Sequence, residues 1–132
     1  MISAFADFFA YFFTFPIIPI GDMGEAAFRE EEARVIQEIA SATASVIATG
    51  GGAVLRQENV NYLLQNGRIY FLDHPLDDLK IYDNRPLSSS REALEARYRE
   101  RFPIYSSIAE VIVSGTRTRE ECVKTILEDF AK

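Results

Sequence analysis

The chain has 132 residues, 48% hydrophobic and 26% charged, with a formal net charge of -6 and an isoelectric point near 4.8. This is the profile of one soluble globular domain and excludes a disordered or fibrous chain. An acidic balance also argues against a nucleic-acid surface, because phosphate contacts need clustered Lys and Arg, so any anionic ligand must be met by a few local arginines. Residues 1–20, MISAFADFFAYFFTFPIIPI, hold a single charge, Asp7, and six of the ten phenylalanines. They are expected to form a hydrophobic leader distinct from a domain over 21–132. The run lacks a basic flank, carries an acid and ends in Pro16 and Pro19, so a membrane anchor is not the expectation.

From Gly24 the pattern is regular. GEAAFREEEARVIQEIA places Ala27, Phe28, Glu31, Val35, Ile36 and Ile39 so that the apolar members share one helical face. SVIATGGG then reads as a buried strand running into a glycine loop, whose backbone either takes φ > 0 or comes very close to something. ENVNYLLQNG predicts a short helix closed by Gly67 at a C-cap, and RIYFLDH a second strand that ends near His74. DNRPLSSS is a polar loop, SREALEARYRERF a charged helix capped by Ser90, AEVIVSG a third strand, and TREECVKTILEDF a closing helix capped by Thr118. Strands alternating with helices imply a parallel sheet covered on its faces.

Cys122 and His74 are the only cysteine and histidine. That leaves no internal disulfide and no thiolate cluster, and it argues against a histidine-built metal site or a Ser-His-Asp triad; no metal ligand is expected, and a reducing cytoplasm is the default location. In an open parallel sheet, ligands bind beyond the carboxyl ends of the strands, which is where the glycine loop falls. Glycine alone is a weak signal, since tight turns use it for packing. Arg29, Arg85 and Arg101 are three separated arginines of the type that captures carboxylates. Each also has a bland reading: Arg29 can pair along its helix with Glu32 or Glu25, and Arg101 with nearby glutamates.

Taken together, GEAAFR, ATGGGAV, the NRPL of Asn84 to Leu87, RFPIY, and AEVIV with its terminal helix resemble the shikimate kinases, in that family's order. The match runs from about Gly24 to the end. FLDHPL and RPLSSSREALEARY resemble the clostridial type of kinase domain. The resemblance implies an α/β fold, a three-layer α/β/α P-loop-kinase-like parallel sheet. It also implies transfer of the γ-phosphate of ATP to the 3-hydroxyl of shikimate in aromatic amino-acid biosynthesis, with ATP and Mg2+ as cofactors.

Carried over by motif, Arg29, Gly50, Gly51, Gly52 and Arg101 would bind shikimate. Arg85 would act catalytically and on the nucleotide from a lid over about 84–97, and Arg117 would contact the nucleotide. The family's GxxxxGK[ST] phosphate cradle is not found among these residues, and Lys80, Lys124 and Lys132 all fall late. By resemblance, then, the domain is incomplete, with its first strand and P-loop absent, and by itself it is expected to be impaired or inactive as a kinase. The alternative is a non-catalytic shikimate-binding or regulatory remnant. Self-association, or a complementing chain docking on the leader, is the partner expected beside shikimate itself.

Overall fold

A computed structural model describes residues 24–74, 90–114 and 118–132. The leader 1–20, Arg85, Arg117 and residues 84–89 of the expected lid lie outside the described residues. The chain divides into two compact units, residues 1–67 and 68–132.

In the first unit, α1 spans Glu25–Ile39 behind Gly24, which sits at φ 80 and ψ 155. The expected apolar face points inward: Ile36 and Ala40 are buried, and Phe28, Val35 and Ile39 are half-buried, while Ala27 is exposed. On the outer side Arg34 pairs with both Glu31 and Glu38. Residues 41–52 are irregular. The strand expected at 46–49 does not form: Val46 is 58% exposed and the segment has no ladder partner among the described residues. An apolar run becomes a strand only when a neighbouring backbone supplies its hydrogen bonds, and β-propensity alone does not provide them.

A 3₁₀ turn over Ala53–Leu55 is closed by the amides of Ala53 and Leu55 donating to the carbonyls of Gly50 and Gly52. α2 follows over Gln57–Asn66. Ile36, Ala40, Ala53, Val54 and Val60 form the core between α1, the turn and α2. The Asn66 side chain donates to the carbonyl of Ala42 at 3.2 Å and so anchors the end of α2. Gly67 ends that helix as expected, but at φ -148, which is extended rather than left-handed backbone. What a side chain lacks there is space, since a β-carbon would meet the Leu63 carbonyl oxygen at 3.0 Å.

In the second unit, β1 (Tyr70–Asp73) and β2 (Val111–Ser114) pair in parallel, Tyr70 opposite Val111 through Asp73 opposite Ser114. The Glu110 amide, donating to the Ile69 carbonyl at 2.8 Å, extends the ladder by one bond. The crossover carries α3, Arg91–Ile108, whose first turn is capped by the Ser90 hydroxyl accepting from the Ala93 amide. Residues 91–97 of the expected lid are thus helical.

α3 does not stop near Phe102 but runs through Pro103 to Ile108. Proline fits helical φ, but it forfeits its own N–H bond and its ring crowds the carbonyl four residues earlier. The stripe Tyr98, Phe102 and Tyr105 carries the helix onward: Phe71 of β1 lies 5.7 Å from the Phe102 ring and 5.1 Å from the Tyr105 ring, both edge-on. α4, Arg119–Phe130, starts in a full capping box between Thr118 and Glu121 and packs on β2, where Val113 is buried. No helix among the described residues is long and apolar enough to cross a membrane.

Candidate functional site

Arg29 projects from the second turn of α1. Its Nη1 donates to Glu32 Oε2 at 2.6 Å, the local pairing open to it along the helix. Its Cζ lies 5.2 Å from the centre of the Phe28 ring. The side chain is 28% exposed and that of Glu32 15%, so this pair is held rather than left in free solvent. Nε and Nη2 make no hydrogen bond among the described residues.

The glycine loop sits against this guanidinium. Gly52 is buried at φ -82 and ψ -17. A β-carbon there would come within 2.6 Å of both Cζ and Nη1 of Arg29. At Gly50 a β-carbon would meet only Glu32 Oε1, at 3.9 Å. Of the two sequence readings of the loop, close approach is the one realised at Gly52, and positive φ is found at neither Gly50 nor Gly52. The structure therefore brings Arg29, Glu32 and Gly50–Gly52 together, the guanidinium held between the Glu32 carboxylate and the backbone of Gly52.

Asn59 is a contributor that sequence reasoning missed. It is 2% exposed, and its Nδ2 donates to the carbonyl of Ala53 at 2.8 Å, which fixes the turn immediately after Gly52. Its buried Oδ1 makes no hydrogen bond among the described residues. The available signal was an asparagine beside Val60 on the inward side of a short helix; asparagine disfavours such a position unless its amide has a backbone to hold.

Arg101 belongs to the second unit, on α3 beside Phe102. It is half-buried. The expected pairing with nearby glutamates is not made, and its guanidinium has no hydrogen bond or ion pair among the described residues. In the same unit Asp73, at the carboxyl end of β1, accepts from the Tyr98 hydroxyl at 3.0 Å. Desolvation first, and the carboxylate beside it second, push the Tyr98 phenol above its ordinary range. His74 is exposed directly after the strand, as a residue that only ends it would be. Arg85 and Arg117 lie outside the described residues. No group of three or more His, Cys, Asp or Glu that could hold a metal ion occurs among the described residues.

The family model described as shikimate kinase matches residues 19–131. Shikimate kinase of Chromobacterium violaceum is 43% identical over 101 residues, covering 71% of this chain and 55% of the relative. The enzyme of Nitrosococcus oceani is 35% identical over 116 residues, covering 83% and 60%. That of Clostridium botulinum is 33% identical over 109 residues, covering 80% and 66%. The chain thus spans somewhat more than half the length of these relatives. A solved structure of shikimate kinase from Acinetobacter baumannii in complex with shikimate superposes with a TM-score of 0.74 at 28% identity, covering 85% of this chain and 68% of the other. With its parallel β-α-β crossover, its motifs in register and a matched model across most of its length, the chain belongs to the shikimate kinase family and has that family's α/β fold.

Proposed function

We propose that this chain supplies the shikimate-recognising part of a shikimate kinase, with Arg29, the Gly50–Gly52 loop and Arg101 binding the substrate. The observation that carries the reading is the Arg29 guanidinium, positioned by Glu32 against the backbone of Gly52 with Nε and Nη2 uncommitted. A planar fork of donors on a partly desolvated surface suits a carboxylate, and loop amides without β-carbons suit a hydroxylated ring. Arg101, half-buried and unpaired among the described residues, is likewise of the type that captures a carboxylate.

The reaction we assign is the family's: transfer of the γ-phosphate of ATP to the 3-hydroxyl of shikimate, with Mg2+ on the nucleotide, in the cytoplasm. Arg85 is assigned to the transferring phosphate and Arg117 to the nucleotide. Loop amides and a lysine of the GxxxxGK[ST] type are what hold nucleotide phosphates in such kinases, and these 132 residues contain no such run. The side chains present therefore account for the substrate and not for the phosphate cradle. That same feature favours, as the second reading, shikimate binding without turnover.

Calorimetric titration of the full chain with shikimate and with its methyl ester tests the proposal. Binding of the acid with marked loss for the ester is the expected result. Equal heats for the two, or none for either, would overturn it.

A further inference from the structure

Glycine is retained at a position for one of two reasons, backbone dihedral or space, and Gly52 separates them cleanly. Its φ of -82 and ψ of -17 are ordinary right-handed helical values that any residue adopts. Alanine would meet no conformational objection there. The space is another matter, because the β-carbon direction is filled by the Arg29 guanidinium, with Cζ and Nη1 both at 2.6 Å and Nη2 nearer still. The obstructing group is the far end of a flexible side chain, not backbone. A methyl at 52 would therefore displace the guanidinium and leave the loop where it is.

Arg29 has a defined seat to be displaced from: Glu32 on Nη1 at 2.6 Å and the Phe28 ring 5.2 Å from Cζ. The loop itself is fixed independently of Arg29 by the Ala53 and Leu55 amides and by Asn59. We infer that Gly52 is the steric seat of Arg29, a positioning residue whose missing side chain admits the arginine. Gly50, with only the Glu32 carboxylate at 3.9 Å, has no such role. The inference rests on the proposed shikimate site, since it specifies how the carboxylate-binding arginine of that site is aimed.

The test is a double-mutant cycle on the full chain with Gly52→Ala, Arg29→Ala and the pair, read by shikimate titration and thermal midpoint. It is joined by the ligand-free NMR signal of the Arg29 Nε–Hε group. Gly52→Ala should weaken shikimate binding about 10- to 100-fold, as for a misplaced binding group, with the thermal midpoint nearly unchanged. The paired variant should bind no more weakly than Arg29→Ala alone, because a seat without its occupant has nothing left to lose. The Nε–Hε signal should move in Gly52→Ala.

Wild-type affinity in Gly52→Ala, losses that multiply in the pair, or an unmoved Nε–Hε signal would each overturn the inference. If Gly52→Ala is unstable, the pair must recover stability, since the obstructing group is gone; failure to recover is also fatal. Absence of shikimate binding to the wild-type chain would instead remove the proposed site, and the ligand-free signal alone would then decide the seat.

Discussion

Three glycines in this chain are glycine for different physical reasons. Gly24 caps α1 at φ 80 and ψ 155, a region essentially closed to residues with a β-carbon, although nothing lies within 4 Å of where that carbon would be. Gly24→Ala should therefore destabilise the fold by about 1–3 kcal/mol through the dihedral alone, measured by urea unfolding. Gly52 and Gly67 have permitted dihedrals and lack space, against a flexible guanidinium in one case and a rigid carbonyl in the other. The bare sequence shows GGG and NG without distinguishing these cases, because the distinction depends on which atom fills the vacant direction.

Asn59 shows a further limit at this scale. Its Nδ2 bond to the Ala53 carbonyl is made in the core. Asn59→Ala leaves that carbonyl buried without its donor, and a loss of about 1–3 kcal/mol in unfolding free energy is the expected outcome. Arg29 stands in a motif that the sequence displays, whereas Asn59 serves a contact visible only after folding.

Among the elements, those with local start signals follow their sequence closely. Thr118 and Glu121 satisfy each other's backbone amides in a capping box, and Ser90 caps α3 in the way its position before REAL suggested. Thr118→Ala removes one side of the box and should destabilise the chain by about 0.5–2 kcal/mol, seen as a lowered denaturant midpoint with unchanged slope.

Where tertiary context decides, local reading falls short. VIAT has strand composition but no partner among the described residues, so it stays irregular, whereas YFLD and VIVS find each other and pair. The run SREALEARYRERF predicts a helix ending at Phe102, yet α3 continues past Pro103 because Phe102 and Tyr105 both pack on Phe71, on either side of it. Packing of an aromatic stripe outweighs the missing backbone bond and the crowding by the proline ring.

Over the whole molecule, the second unit is fastened by tyrosine–carboxylate bonds: Tyr70 to Asp129 at 2.8 Å and Tyr98 to Asp73 at 3.0 Å. Desolvation and the adjoining carboxylate raise both phenols above the ordinary value of 10.0. The folded chain therefore keeps protons that the unfolded chain gives up, so this contribution to stability is intact below pH 10 and is lost as pH climbs through the raised values. Unfolding free energy measured from pH 9 to 11 should fall, and the Tyr70→Phe, Tyr98→Phe double variant should fall less steeply. Parallel slopes would contradict that assignment.

Arg29 and the glycine loop belong to the first unit and Arg101 to the second. That division was hidden in the sequence, where the motifs simply follow one another. The family, the parallel pairing and the Arg29–glycine niche were all within reach of the motifs, because each rests on residues whose chemistry is specific at short range. The measurement that tests the account most directly is shikimate affinity, by calorimetry, for the full chain and its Arg29→Ala and Arg101→Ala variants. The role proposed for each arginine predicts a loss of about 2–5 kcal/mol in each variant, as for an ion pair robbed of one partner. Binding in either variant equal to that of the unaltered chain would contradict it.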